Sequence, residues 1–164
     1  MIDAGAQLDQ DKAAALVALS EHPEQWAALR AQPERIPLAV EEALRWTTPV
    51  TSFLRTATRD VEVHGETIRA GEPVLLLYAS ANRDESVFGP TADRFDTTRD
   101  PNPHVALGFG EHFCLGAVLA RLEARVFLEE AARRFTTLTP AGPVERLDSG
   151  VIAGILRVPL TIGV

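Results

Sequence analysis

The chain has 164 residues, 46% hydrophobic and 24% charged, the profile of a globular domain long enough to bury a core of its own. With 16 Lys and Arg against 23 Asp and Glu, the net charge of −7 excludes a generally basic nucleic-acid surface. A single cysteine rules out an intrachain disulfide and suits a reducing compartment. No apolar run reaches membrane-spanning length and no signal-peptide pattern opens the chain, so a soluble, cytoplasmic protein without a membrane or nucleic-acid partner is expected.

In chain order, the later part of 1–20 runs Ala-Ala-Ala-Leu-Val-Ala-Leu and has high helix propensity. Pro23 is placed to start the next helix, over 24–31, with Trp26 and Leu29 inward. Pro33 and Pro37 punctuate the chain again before a helix over 38–46, ended by Thr47-Thr48-Pro49. That helix carries Glu41 and Glu42 ahead of Arg45, at i,i+4 and i,i+3. Taken alone, such a pairing reads as a solvated surface interaction worth about 0.2–0.5 kcal/mol.

A β-rich part follows. Residues 53–58, with Arg55, form a short strand; 60–64 alternates, Gly65 turns and 66–69 returns. Val74-Leu75-Leu76-Leu77-Tyr78 is an unbroken apolar run, which suits a strand buried on both faces. Residues 80–84 begin a short helix or turn, Phe88-Gly89-Pro90 closes it, and 91–103 is irregular. A long helix over 115–135 places Leu115, Val118, Leu119, Leu122 and Val126 along one side. In the tail, 151–156 and 158–162 have the look of paired strands. With no internal repeat and no linker, 1–164 reads as a single unit, mixed α and β and mainly α.

The sole cysteine, Cys114, lies in 107–116, Leu-Gly-Phe-Gly-Glu-His-Phe-Cys-Leu-Gly. Gly108, Gly110 and Gly116 surround it, and glycine permits positive φ and close approach of the backbone to a ligand. Placed at a helix N-terminus, the thiolate is favoured over the thiol and is able to act as a nucleophile or a metal ligand. A lone cysteine is more often a small buried hydrophobe. One Cys and scattered His cannot complete the four-coordinate set of zinc.

The spacing resembles the haem-binding loop of the cytochrome P450 family, the haem-thiolate monooxygenases. That pattern is Phe-Gly-x-Gly-x-His/Arg-x-Cys-x-Gly, and it is matched at every fixed position except the first, where Leu107 replaces Phe. The resemblance covers nearly the whole chain and implies the C-terminal portion of the P450 fold of a bacterial-type member, helices plus small β-sheets around a cysteine-ligand loop. It implies haem b (iron protoporphyrin IX) ligated through iron by Cys114, with Gly108, Phe109, Gly110 and Gly116 against the porphyrin and His112 and Arg55 pairing with its propionates. It makes Glu42 and Arg45 a buried Glu-x-x-Arg pair and leaves Glu41 to solvent. The irregular stretch resembles the family's meander, and Arg94 and His104 are candidates to complete the network around the pair.

The implied activity inserts one atom of dioxygen into a small apolar organic substrate, with electrons from a ferredoxin or flavoprotein; 50–53 resembles a substrate-lining stretch. Residues 4–8, Ala-Gly-Ala-Gln-Leu, stand where the family carries a Gly-x-Asp/Glu-Thr element, with Gln7 for the acid and Leu8 for the threonine. The chain is therefore expected to be a truncated portion of a monooxygenase, inactive on its own. The alternative is a non-catalytic haem-binding or structural remnant.

Overall fold

The computed structural model describes residues 10–164; residues 4–8, and with them Gln7 and Leu8, lie outside the described residues. Helix α1 (Gln10–Glu21) is buried from Ala13 to Ser20, as a helix apolar on all sides must be. Pro23 opens α2 (Pro23–Ala31), which turns Trp26 and Leu29 into the same core. A 3-10 turn, Pro33–Arg35, leads into α3 (Ile36–Thr47), with Pro37 in its first turn and Thr48 ending it at φ 42. Helix α6 (Ala117–Arg134) completes a helical core in which Leu19, Leu29, Ile36, Leu44 and Leu128 meet.

The strands form four separate two-stranded ribbons. Strand β1 (Ser52–Thr56) pairs antiparallel with β4 (Pro73–Leu77), setting Arg55 opposite Val74. Strands β2 (Val61–Val63) and β3 (Glu66–Ile68) make a hairpin around His64 and Gly65, both at positive φ. Two short helices, α4 (Tyr78–Ala81) and α5 (Glu85–Phe88), follow β4. After α6 come β5 (Thr137–Pro140), β6 (Glu145–Arg146), β7 (Ile155–Arg157) and β8 (Leu160–Gly163).

The structure corrects the expected burial in one place. Strand β4 is exposed, with Leu75 and Leu77 more than half accessible. Its only hydrogen-bonded neighbour is β1, and a two-stranded ribbon leaves its faces bare wherever no other layer covers them. Leu115, just ahead of α6, and Val118, Leu119, Leu122 and Val126 on it are exposed, while Ala117, Ala124, Leu128, Ala131 and Ala132 are buried. The helix has two apolar faces, and the one rich in alanine packs against α1, α2 and α3.

A second correction concerns the tail. The strand expected over 151–156 is confined to β7, residues 155–157, and the two strands pair with other partners: β7 with β6, and β8 with β5. Only Val158 and Pro159 separate β7 from β8. A two-residue hairpin needs positive φ in its turn, and proline holds φ near −65°. The Pro159 carbonyl instead accepts the Ala141 N–H at 2.9 Å.

Candidate functional site

The cysteine loop is shaped by backbone bonds at its neck. The Cys114 N–H donates to the Leu107 carbonyl at 2.8 Å, and the Ala117 N–H donates to the Cys114 carbonyl at 3.1 Å. Between them a 3-10 turn spans Gly110–His112. Gly108 has φ 79°, and a Cβ there would stand 2.8 Å from the His112 carbonyl oxygen; Gly110 has φ 64° but open space around it. Gly116 adopts φ −81°, which any residue can take, so its backbone does not require glycine. Helix α6 begins at Ala117, three residues beyond the cysteine.

Gly108→Ala therefore combines positive-φ strain, about 1–3 kcal/mol, with a backbone collision. Gly110→Ala carries the strain alone. Thermal unfolding should rank the first variant clearly below the second.

Cys114 is a free thiol exposed at the surface, and Phe109, Phe113 and Leu115 around it are exposed too. His112 is also exposed. Arg55 does not reach the loop: its Nη1 donates to its neighbour's carbonyl, Leu54 O, at 3.0 Å, and its guanidinium lies 5.3 Å from the Phe53 ring centroid.

On α3, Glu42 and Arg45 are wholly buried. Arg45 donates from Nε and Nη2 to the two Glu42 oxygens at 2.7 and 2.8 Å. Its remaining donors go to the carbonyls of Asn82, Ala92 and Arg94 at 2.7, 2.8 and 2.9 Å. All five guanidinium donors are thus used, as a buried charge demands. Glu42 also accepts the Asp96 N–H at 2.8 Å and the Asn102 amide at 3.1 Å.

The second guanidinium on Glu42 is Arg99, whose Nε lies 3.2 Å from Oε2. Sequence reasoning offered Arg94 and His104 for that place. Arg94 is exposed and supplies only its carbonyl, which accepts from both Arg45 and Arg99. His104 meets Glu41 instead. Arg99 and Asn102 were missed because an irregular stretch has no periodicity to say which side chains turn inward, and Asn82 because it caps a helix of a single turn, too short to show a face.

Glu41 departs from expectation as well. It is half-buried, and Arg121 on α6 grips it with two hydrogen bonds of 2.7 and 2.8 Å. His104 Nε2 lies 3.0 Å from Glu41 Oε2. Burial alone would raise the Glu41 pKa, but the hydrogen bonds from Arg121 and His104 outweigh it and bring the carboxyl from 4.5 down to about 2. A depressed carboxyl pKa contributes stability that is present above 4.5 and lost as pH falls toward about 2. Urea midpoints measured down that range should fall more steeply for the parent chain than for Glu41→Gln.

The family model for cytochrome P450 matches residues 34–164. The chain belongs to the cytochrome P450 family. Cytochrome P450-terp of a Pseudomonas species is 44% identical over 146 residues, 89% of this chain and 34% of that protein. A steroid C26-monooxygenase of Mycolicibacterium smegmatis is 47% identical over 144 residues, 87% of this chain and 36% of that protein. Among solved P450 structures, P450BioI in complex with an acyl carrier protein bearing hexadec-9Z-enoic acid superimposes with a TM-score of 0.89 at 39% identity, over 93% of this chain and 40% of that one. CYP109E1 from Bacillus megaterium, in complex with corticosterone, gives a TM-score of 0.89 at 32% identity, over 94% and 42%. The mixed fold of helices and small sheets is thus that of bacterial P450 enzymes, and the chain spans a little over a third of the length of these curated relatives.

The P450 cofactor is haem, and the residues of the loop fit it. Among the described residues no group of three or more His, Cys, Asp or Glu could hold a bare metal ion. A lone thiolate supplies one ligand, so its metal must bring the others with it, as a porphyrin does. The exposed apolar rim of Phe109, Phe113 and Leu115 suits a flat apolar macrocycle. The Gly108 turn lets the loop backbone close on itself at the His112 carbonyl, where a Cβ would collide, and a Cβ at Gly116 would stand 3.9 Å from the thiol sulfur.

Proposed function

We propose that this chain is the haem-ligating, C-terminal portion of a P450 monooxygenase acting on a small apolar organic substrate, folded as a single unit over 1–164. The observation that carries the reading is the exposed thiol of Cys114 at the neck of a glycine-shaped loop. Haem b, when bound, supplies dioxygen activation and the insertion of one oxygen atom into substrate, with thiolate donation favouring O–O cleavage. Cys114 ligates the iron as the thiolate. Gly108, Phe109, Gly110 and Gly116 present the loop to the porphyrin face.

Arg55 and His112 hold the propionates by charge-assisted hydrogen bonds, the strong class of such contacts. In that role Arg55 leaves the Leu54 carbonyl, and both side chains are accessible enough to swing. Glu42 and Arg45, with Arg99, keep the floor under the loop rigid. Electrons come from a ferredoxin or flavoprotein, and the excess of acid over base, 23 to 16, argues against nucleic acid as a partner. No helix among the described residues is long and apolar enough to cross a membrane.

Because the chain spans only 34% of the length of a relative such as P450-terp, turnover is assigned to the assembled fold and not to residues 1–164 alone. The test is reconstitution with haem b, reduction and addition of carbon monoxide. A Soret band at the long wavelength of thiolate ligation supports the reading, and a band at the position of imidazole or thiol ligation overturns it.

A further inference from the structure

The network around Glu42 bolts α3 to the irregular segment, but none of its hydrogen bonds reaches residues 107–116. Glu41 is different. One of its oxygens faces the arm entering the cysteine loop, and both are held by the arm leaving it. On the entering arm, the Ala106 N–H donates to His104 Nδ1 at 3.2 Å, which makes Nδ1 the acceptor and assigns the ring N–H to Nε2, donating to Glu41. The next residue, Leu107, receives the Cys114 N–H. On the leaving arm, Arg121 sits in the second turn of α6. Its pKa is raised, chiefly by the hydrogen bond to Glu41.

Building on the reading of Cys114 as the haem ligand, we infer that Glu41 is the positioning residue of the loop: through His104 and Arg121 one carboxylate on α3 joins both arms and fixes where the thiol stands. Partners one step removed from a metal ligand orient it, and losing one typically costs about 10–100-fold in metal affinity. An ion pair that only holds helices together would lower stability and leave the ligand's spectrum and reactivity alone. Lys12 and Glu123, 2.9 Å apart, join α1 to the same α6, and Glu123→Gln is the matched control.

The experiment compares the parent chain, Glu41→Gln and Glu123→Gln, with far-UV circular dichroism as the folding check. Haem b affinity, the position of the Soret band of the reduced carbon monoxide complex, and the rate of Cys114 alkylation by iodoacetamide in the haem-free chain are read for each. Glu41→Gln should bind haem about tenfold more weakly, move part of the Soret band off the thiolate position and alter the alkylation rate. Glu123→Gln should stay within about twofold of the parent, as expected of a surface substitution. If Glu41→Gln does not fold, Arg121→Gln, which frees the leaving arm alone, replaces it. The inference is overturned if the variant matches the control in all three readouts, or if neither variant folds, which would make the role structural. A parent lacking the thiolate band would instead overturn the haem-ligand reading, and alkylation would still decide whether Glu41 positions the thiol.

Discussion

Arg45→Ala should unfold the chain or leave it unable to take up haem. The substitution strips Glu42 of its bidentate partner at a site with no water access, and it takes the Arg45 donor from the carbonyls of Asn82 and Ala92, while the Arg94 carbonyl keeps only Arg99. Breaking a buried pair from one side costs about 3–5 kcal/mol, a large share of the about 5–15 kcal/mol that holds a typical domain together. Arg99 does not compensate, because its other donors are committed to Phe88, Thr91 and Arg94. Arg45→Lys should also be damaging, since an ammonium cannot reproduce a planar fork reaching two carboxylate oxygens and three carbonyls. Arg133→Ala, in an exposed pair with Glu130, should cost about 1 kcal/mol or less. Urea denaturation followed by circular dichroism decides the matter: similar small losses from Arg45→Ala and Arg133→Ala would show that the buried network is not what holds the chain together.

Cys114→Ser should have the opposite profile, removing the thiolate spectrum while leaving the haem-free fold within about 0.5 kcal/mol of the parent. The side chain is exposed, and the bonds that shape the loop run through the backbone N–H and carbonyl of residue 114, which serine retains. A hydroxyl is a far weaker acid than a thiol and supplies no comparable donation to iron. The reduced carbon monoxide complex of the variant should lose the long-wavelength Soret band completely. Persistence of that band in Cys114→Ser would exclude the cysteine as ligand.

How legible each part was in the sequence follows from the kind of signal it leaves. The turn at Gly108 was readable because positive φ nearly demands glycine, and local backbone chemistry writes itself into residue type. The burial of Glu42 and Arg45 was not readable from i,i+3 spacing, which an exposed helix shows equally well; only the resemblance pointed to it. Arg99 and Arg121 were invisible for another reason. Arg99 converges on Glu42 from 57 positions away and Arg121 on Glu41 from 80, and no local pattern encodes such a meeting. On α6 the spacing set the large aliphatic row along one side without saying which way that side faces, and it is the alanines that face the core. Hydrophobicity marks both faces of that helix and does not rank them.

The Arg45 fork has a consequence for how this chain can change in length. Carbonyls at 82, 92 and 94 and donors at 96, 99 and 102 all converge on one ion pair, so their spacing along the backbone is counted in single residues. An insertion or deletion between 82 and 102 would pull at least one partner out of reach and strand a buried charge. The His64–Gly65 turn of the β2–β3 hairpin, exposed and tied only to its own ribbon, can absorb added residues at little cost. Drift in length is therefore channelled away from the meander and into the hairpin.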